Sequence, residues 1–169
     1  MRFKLIDQGA SLTTAQVDRI EDRLGMKLPD EYRNFLLDHN GGTPEPRAFP
    51  IVDFDKNPKG LVQVFFRIDD GIESSRLDWN YKVFKGRIPK ELFPIACDDG
   101  GGLICLTISG TNVGAIYYWD FYGETRPPTF DNVYPVAGSL GEFFDSIHEW
   151  DPLGEVDVQS MIVERNLPH

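Results

Sequence analysis

The stretch from Leu92 to Asp120 constrains the fold more than any other part of this 169-residue chain. It runs Leu92-Phe93-Pro94-Ile95-Ala96-Cys97, then the corner Asp98-Asp99-Gly100-Gly101-Gly102, then Leu103-Ile104-Cys105-Leu106-Thr107-Ile108, then Gly114-Ala115-Ile116-Tyr117-Tyr118-Trp119-Asp120. Leu103 to Ile108 and Val113 to Trp119 are continuous apolar and β-branched runs of strand length, closed by turn residues, so they read as strands buried on both faces. Ser109-Gly110-Thr111-Asn112 between them is a short polar link containing Gly, which predicts an antiparallel hairpin. Three consecutive glycines let the backbone take φ values that other residues resist, so a tight, mobile corner is expected before the central strand.

The Asp98 to Gly102 corner admits three chemistries. A phosphate cradle needs a helix and a basic residue after the glycines, and a strand follows instead. A divalent-cation loop would need further oxygen ligands at suitable spacing beyond the two aspartates. The reading adopted is a glycine turn that returns the chain to the sheet. Asp53-Phe54-Asp55-Lys56-Asn57 resembles a calcium loop only at its start, since Pro58 and Val64 occupy the positions of the required Gly and Glu.

Charge is the most informative composition number. The net charge is −10, and the segment Asp98 to Asp157 holds eleven acids against one base, Arg126, while the other 109 residues balance at 16 and 16. Phosphate affinity comes from Lys and Arg, so direct nucleic-acid binding is not expected, and a basic partner is the natural complement. Seven acids are expected to contribute to a partner-binding face: Asp98, Asp99, Asp120, Glu124, Glu142, Asp145 and Glu149. Three of them, Glu142, Asp145 and Glu149, fall at i, i+3 and i+7, which would put them on one helical face.

The helices announce themselves by their ends. Thr13 and Gln16 form a capping box, Val17, Ile20 and Leu24 share a face opposite Asp18, Glu21 and Asp22, and Gly25 offers a left-handed terminus. Pro29 fits the first position of a second helix, Tyr32, Phe35 and Leu36 form its buried stripe, and Asn40-Gly41-Gly42 ends it. His39 in its last turn fits the helix dipole, although it could serve as a ligand or base. Leu61 to Ile68 is a strand, Ile72 to about Phe84 a helix, and Val133 to Ala137 a short strand. Ser139 caps a last helix whose Leu140, Phe143, Phe144 and Ile147 face inward. The polar loop after Trp119 is either a lid or a connector, and Val156 to Val163 is either a strand or a short helix.

No catalytic constellation emerges from His39, His148 and His169 or from the two cysteines, so the chain is read as a non-enzyme without cofactor or metal. Cys97 and Cys105 are expected to be free thiols. No apolar run of 18 residues and no secretory leader is visible, which predicts a cytoplasmic protein that does not associate with membranes.

Three blocks resemble the SUKH superfamily, the Knr/Smi-like domains common among bacterial immunity proteins. They are Gly25 with Leu28-Pro29-Asp30-Glu31-Tyr32 through Phe35-Leu36 to Asn40-Gly41-Gly42; Leu92 to Ala96 with the Asp98 to Gly102 corner; and Ile116 to Asp120. The Ser139 to Phe144 helix is similar to the family's closing element, and the likeness spans about residues 10 to 150. One departure is Gly101-Gly102 where the family often has Gly-Asp before the central strand, so Asp98 or Asp99 must substitute or the corner is looser. The resemblance implies one α+β domain over residues 1–155, with a largely antiparallel sheet and helices packed mainly on one side; residues 156–169 would be a tail or short extra element. It also implies binding without chemistry, the neutralisation of a toxin that is often a nuclease. A regulatory or scaffolding module with no toxin partner is the alternative, and the family supplies no shared contact residues.

Overall fold

The computed structural model describes residues 1–152, so the readings for Val156 to Val163 and the tail lie outside the described residues. The elements in chain order are β1 Lys4–Ile6, α1 Thr14–Leu24, α2 Asp30–Asp38, β2 Thr43–Glu45, β3 Ala48–Pro50, β4 Lys59–Phe65, α3 Leu77–Phe84, β5 Leu92–Asp98, β6 Leu103–Thr107, β7 Ile116–Trp119, β8 Val133–Ala137 and α4 Leu140–Ser146. Two short 3-10 turns, Glu73–Ser75 and Phe121–Gly123, precede α3 and follow β7.

Strands β3 to β8 form a six-stranded meander in sequence order, every pair antiparallel, and β1 and β2 form a separate antiparallel ribbon. The pairing of Leu103 with Trp119 and Leu106 with Ile116 joins the two central runs as neighbours. All five residues of β6 are buried, which is why its sequence lacks polar alternation. Register shifts between Pro94 and Ala96 and between Ile116 and Tyr117 mark bulges, and bulges bend strands. The resulting curl brings the two ends of the sheet together, where Val52 N–H donates to the Pro135 carbonyl at 2.9 Å. The chain leaving α4 closes the other side of β3 through reciprocal Ala48–His148 backbone bonds of 3.1 and 2.9 Å. The result is an α+β domain with a nearly barrel-like sheet.

Phe65 is the meeting point of sheet and helices. Its ring lies 5.4 Å from Phe35 of α2, 6.1 Å from Phe143 and 5.8 Å from Phe144 of α4, and 6.3 Å from Phe3. Tyr81 of α3 packs 5.5 Å from Phe93, and Phe84 lies 5.7 Å from Trp119. Such aromatic contacts add to the area they bury and fix the angles between elements.

The helix ends follow the sequence closely. Thr13 and Gln16 make the reciprocal capping box, Gly25 has φ +69, and Ser139 Oγ accepts from Glu142 N–H at 3.1 Å. Asn40 does more than stop α2: its buried amide donates to the Ala10 and Ile68 carbonyls and accepts from Ile68 N–H at 2.7 Å, tying three segments together.

Several local expectations need correction. Pro29 caps α2 rather than occupying its first turn, with ψ 142 holding it extended. Glu21 does not face water: it is buried, accepts Leu28 N–H at 2.8 Å and pairs with Arg33, because the chain after Gly25 folds back over α1. Residues 72–84 form a 3-10 turn and then a shorter helix, divided where Arg67 accepts from Leu77 N–H and donates to the Ser75 carbonyl. Strand β7 starts at Ile116, since Asn112 and Gly114 at φ +59 and +92 spend Val113 in the turn. Helix α4 stops at Ser146, so Glu149 does not continue the helical face of Glu142 and Asp145.

Candidate functional site

The glycine corner is built by one side chain. Asp98 Oδ1 accepts the N–H groups of Gly100 at 3.1 Å and Gly102 at 2.7 Å, and its Oδ2 accepts the Tyr118 hydroxyl at 3.0 Å. Gly101 adopts φ +88, which favours glycine. Gly102 is needed for clearance, because a Cβ there would stand 2.2 Å from Tyr118 Oη. Asp98 therefore supplies the hydrogen bonds that organise the corner, in place of a residue just before β6. Burial raises its pKa, partly offset by the bonds from Tyr118, Gly102 and Gly100. Burial also raises the Tyr118 hydroxyl, reinforced by the Asp98 charge.

The other predicted acids have separate positions. Asp99 receives both guanidinium nitrogens of Arg47, at 3.2 and 3.1 Å. Asp120 is only 4% exposed; its Oδ1 caps the Phe121–Gly123 turn through Tyr122 N–H at 3.1 Å. Its carbonyl accepts the Asn132 amide at 2.8 Å. Glu124 is gripped by Arg87 at 2.8 and 2.9 Å, and this bond holds its carboxyl below the usual carboxylate range. Glu142 is exposed but accepts Gly138 N–H at 2.9 Å, while Asp145 and Glu149 are exposed on and beyond α4.

The structure gathers Asp98, Asp99 and Asp120 around one hollow of about 380 Å³ at the corner end of the sheet. Phe54, Tyr118, Tyr122 and Trp150 also line it. Glu124, Glu142 and Asp145 are not part of that lining, and Glu149 adjoins it only through its neighbour Trp150. Sequence reasoning missed the aromatic members. Tyr122 is 80% exposed and Trp150 43%, and the available signal was aromatic residues continuing past the ends of β7 and α4, where the core no longer needs them. Lys56 and Lys59 complete the rim, and the Lys59 ammonium lies 5.8 Å from the centre of the Trp150 ring.

A larger groove of about 640 Å³ lies against Asp98 and Asp99 as well, floored by Val64, Cys97 and Leu103 and walled by Trp79 and Phe84. Its polar side chains Asn80, Ser75 and Gln63 are turned to partners within the fold, while the buried Nε of Arg67, which also lines it, has no partner among the described residues. Burial, with a smaller contribution from the Asp98 charge, pushes the Cys97 thiol up to about 11, and burial alone raises Cys105. Both are free thiols, and burial, by disfavouring the thiolate, leaves neither primed as a nucleophile.

A curled antiparallel meander, joined to its helices by phenylalanines and open at a corner held by Asp98, defines an α+β domain rather than a doubly wound one. The chain belongs to the SMI1 / KNR4 family (SUKH-1), whose sequence model matches residues 11–146. It is also similar to the SPbeta prophage-derived uncharacterized protein YokK of Bacillus subtilis (strain 168), at 27% identity over 150 residues, covering 80% of this chain and 74% of that protein. Among the described residues, no helix is long and apolar enough to cross a membrane.

Proposed function

We propose that this protein is an immunity-type binding protein that neutralises a basic toxin domain by direct contact, without chemistry of its own. The observation that carries the reading is that its whole net charge of −10 lies between Asp98 and Asp157. Within that segment Asp99, Asp131, Glu142, Asp145 and Glu149 are exposed. Like charges crowded on one part of a chain repel one another and weaken the folded state, a cost that a cationic partner offsets. A toxin that acts on phosphates must present Lys and Arg to them, and an acidic protein surface competes for those groups. Membership of a family with immunity proteins among its relatives supports the same reading.

The proposed contact face runs from the corner, Asp98, Asp99 and Asp120, past Glu124, to Glu142, Asp145 and Glu149. Within it, Asp98 and Asp120 shape the backbone, Glu124 fixes a loop to Arg87, and the exposed carboxylates, together with the second oxygen of Asp120, meet the partner. The test is to read the adjacent reading frame for a secreted protein with a variable C-terminal domain and to co-express that domain with this protein. Growth should be protected by the wild type and weakened by reversing Glu142, Asp145 and Glu149 together to Lys. Protection that never appears would remove the immunity reading in favour of a regulatory or scaffolding module.

A further inference from the structure

We infer that the corner hollow is a receptor for a single cationic side chain, arginine in preference to lysine, projecting from the basic partner. This rests on the proposed function for the partner and on the geometry of the hollow for the ligand chemistry. Four aromatic rings, Phe54, Tyr118, Tyr122 and Trp150, line about 380 Å³ of space, enough for a long side chain with its stem. Aromatic faces attract cations, and a flat guanidinium also stacks on them, which an ammonium does not.

Two observations point to a cation. The first is that the hollow already holds one from this chain, since the Lys59 ammonium sits over the Trp150 ring at 5.8 Å. The second is Asp120. The residue is only 4% exposed and lines the hollow, yet of its carboxylate oxygens only Oδ1 receives a hydrogen bond, and no Lys or Arg among the described residues lies within ion-pair distance of it. Its Oδ2 is not sealed from solvent, and a guanidinium entering between the rings would supply it with a counter-charge and a donor. Asp98 is spent on the corner and Asp99 on Arg47, which leaves Asp120 as the receiving group.

Lys56 and Lys59 on the rim are competitors of the incoming cation. Neither reaches Asp98, Asp99 or Asp120 within ion-pair distance, so both can swing outward without breaking a salt bridge to these acids. The Lys59 ammonium occupies the face of Trp150 that the ligand needs. Removing it should therefore strengthen binding.

The experiment is a titration of the full chain with methylguanidinium, followed by 15N NMR at the Trp150 indole and the Tyr122 and Gly100 amides. Methylammonium and sodium chloride serve as comparisons. Saturable shifts confined to these groups are expected, stronger for methylguanidinium than for methylammonium. Tyr122→Ala, which alters a ring 80% exposed and outside the core, should weaken binding several-fold. Asp120→Asn, which keeps the Oδ1 acceptor for Tyr122 N–H, should do the same, and Lys59→Met should tighten it. Shifts that do not saturate, match those of sodium chloride, or survive Tyr122→Ala and Asp120→Asn unchanged overturn the site. Failure of toxin protection with intact methylguanidinium binding overturns the proposed function instead.

Discussion

Tyr118 donates its hydroxyl to Asp98 Oδ2 at 3.0 Å, linking β7 to the corner between β5 and β6. The same carboxylate holds two glycine amides with its other oxygen. Deleting it leaves two buried donors, Gly102 N–H and the Tyr118 hydroxyl, without an acceptor, and each unsatisfied group costs about 1–3 kcal/mol, while the exposed Gly100 N–H can turn to water. Asp98→Ala should therefore lower the urea midpoint substantially, whereas Asp98→Asn, with an oxygen for the amides and an NH2 facing Tyr118, should nearly match the wild type. If Ala and Asn are equally mild, the carboxylate does not organise the corner.

A pH dependence follows from the same residue. Because burial raises the folded-state pKa of Asp98, its contribution to stability is fully present below the unfolded carboxylate range and is lost as pH rises through the raised value. Asp98→Asn should remove that loss, so the difference between variant and wild type should grow in the variant's favour as pH rises from the unfolded carboxylate range through the raised value. Denaturation at a series of pH values measures this directly, and a constant difference would contradict it.

Glu124 has the opposite sign. Its bond to Arg87 lowers its pKa, so the contribution is present above the unfolded carboxylate value and is lost as pH falls through the folded one. Glu124→Gln should cost about 0.5–1 kcal/mol near neutrality, the scale of a partly exposed ion pair, and leave a shallower acid limb. An acid limb identical to that of the wild type would show that the pair contributes nothing.

The thiols give a prediction about reactivity. With the Cys97 thiol pushed up to about 11 and Cys105 buried, native protein at pH 8 should react slowly with a disulfide reagent at Cys97 and only after unfolding at Cys105. Cys97→Ser should leave partner binding unchanged, and fast native labelling of both thiols would refute the burial account.

What the sequence could convey was decided by range. Helix caps at Thr13, Gly25 and Ser139 and the apolar runs of β5 to β7 are local signals, and each element formed where those signals lie. The roles of the acids were not legible. Asp99 is claimed by Arg47, 52 residues away, and Glu124 by Arg87, 37 away, and no spacing rule reaches that far. Glu149 fits a helical period in sequence but lies past a helix that ends when its chain turns to pair with β3. The three acids that do converge, Asp98, Asp99 and Asp120, stand out by charge, while Tyr122 and Trp150 beside them carry no local signal that separates an exposed aromatic residue from a core one.

The acidic face can be divided by variants. Reversing Glu142, Asp145 and Glu149 to Lys should mainly slow association, since exposed rim charges act through steering more than through affinity. Tyr122→Ala should mainly speed dissociation, as loss of an aromatic anchor does. Identical effects of both on the association rate would place the anchor elsewhere.

The most direct test of the account is the association rate of this protein with the basic toxin domain it is proposed to neutralise, measured by stopped flow from about 50 to 300 mM salt, a range over which screening strengthens markedly. The account predicts a rate that falls steeply with salt in the wild type and a flatter dependence in the Glu142, Asp145 and Glu149 reversal. A rate that is independent of salt and unchanged by the reversal would contradict it.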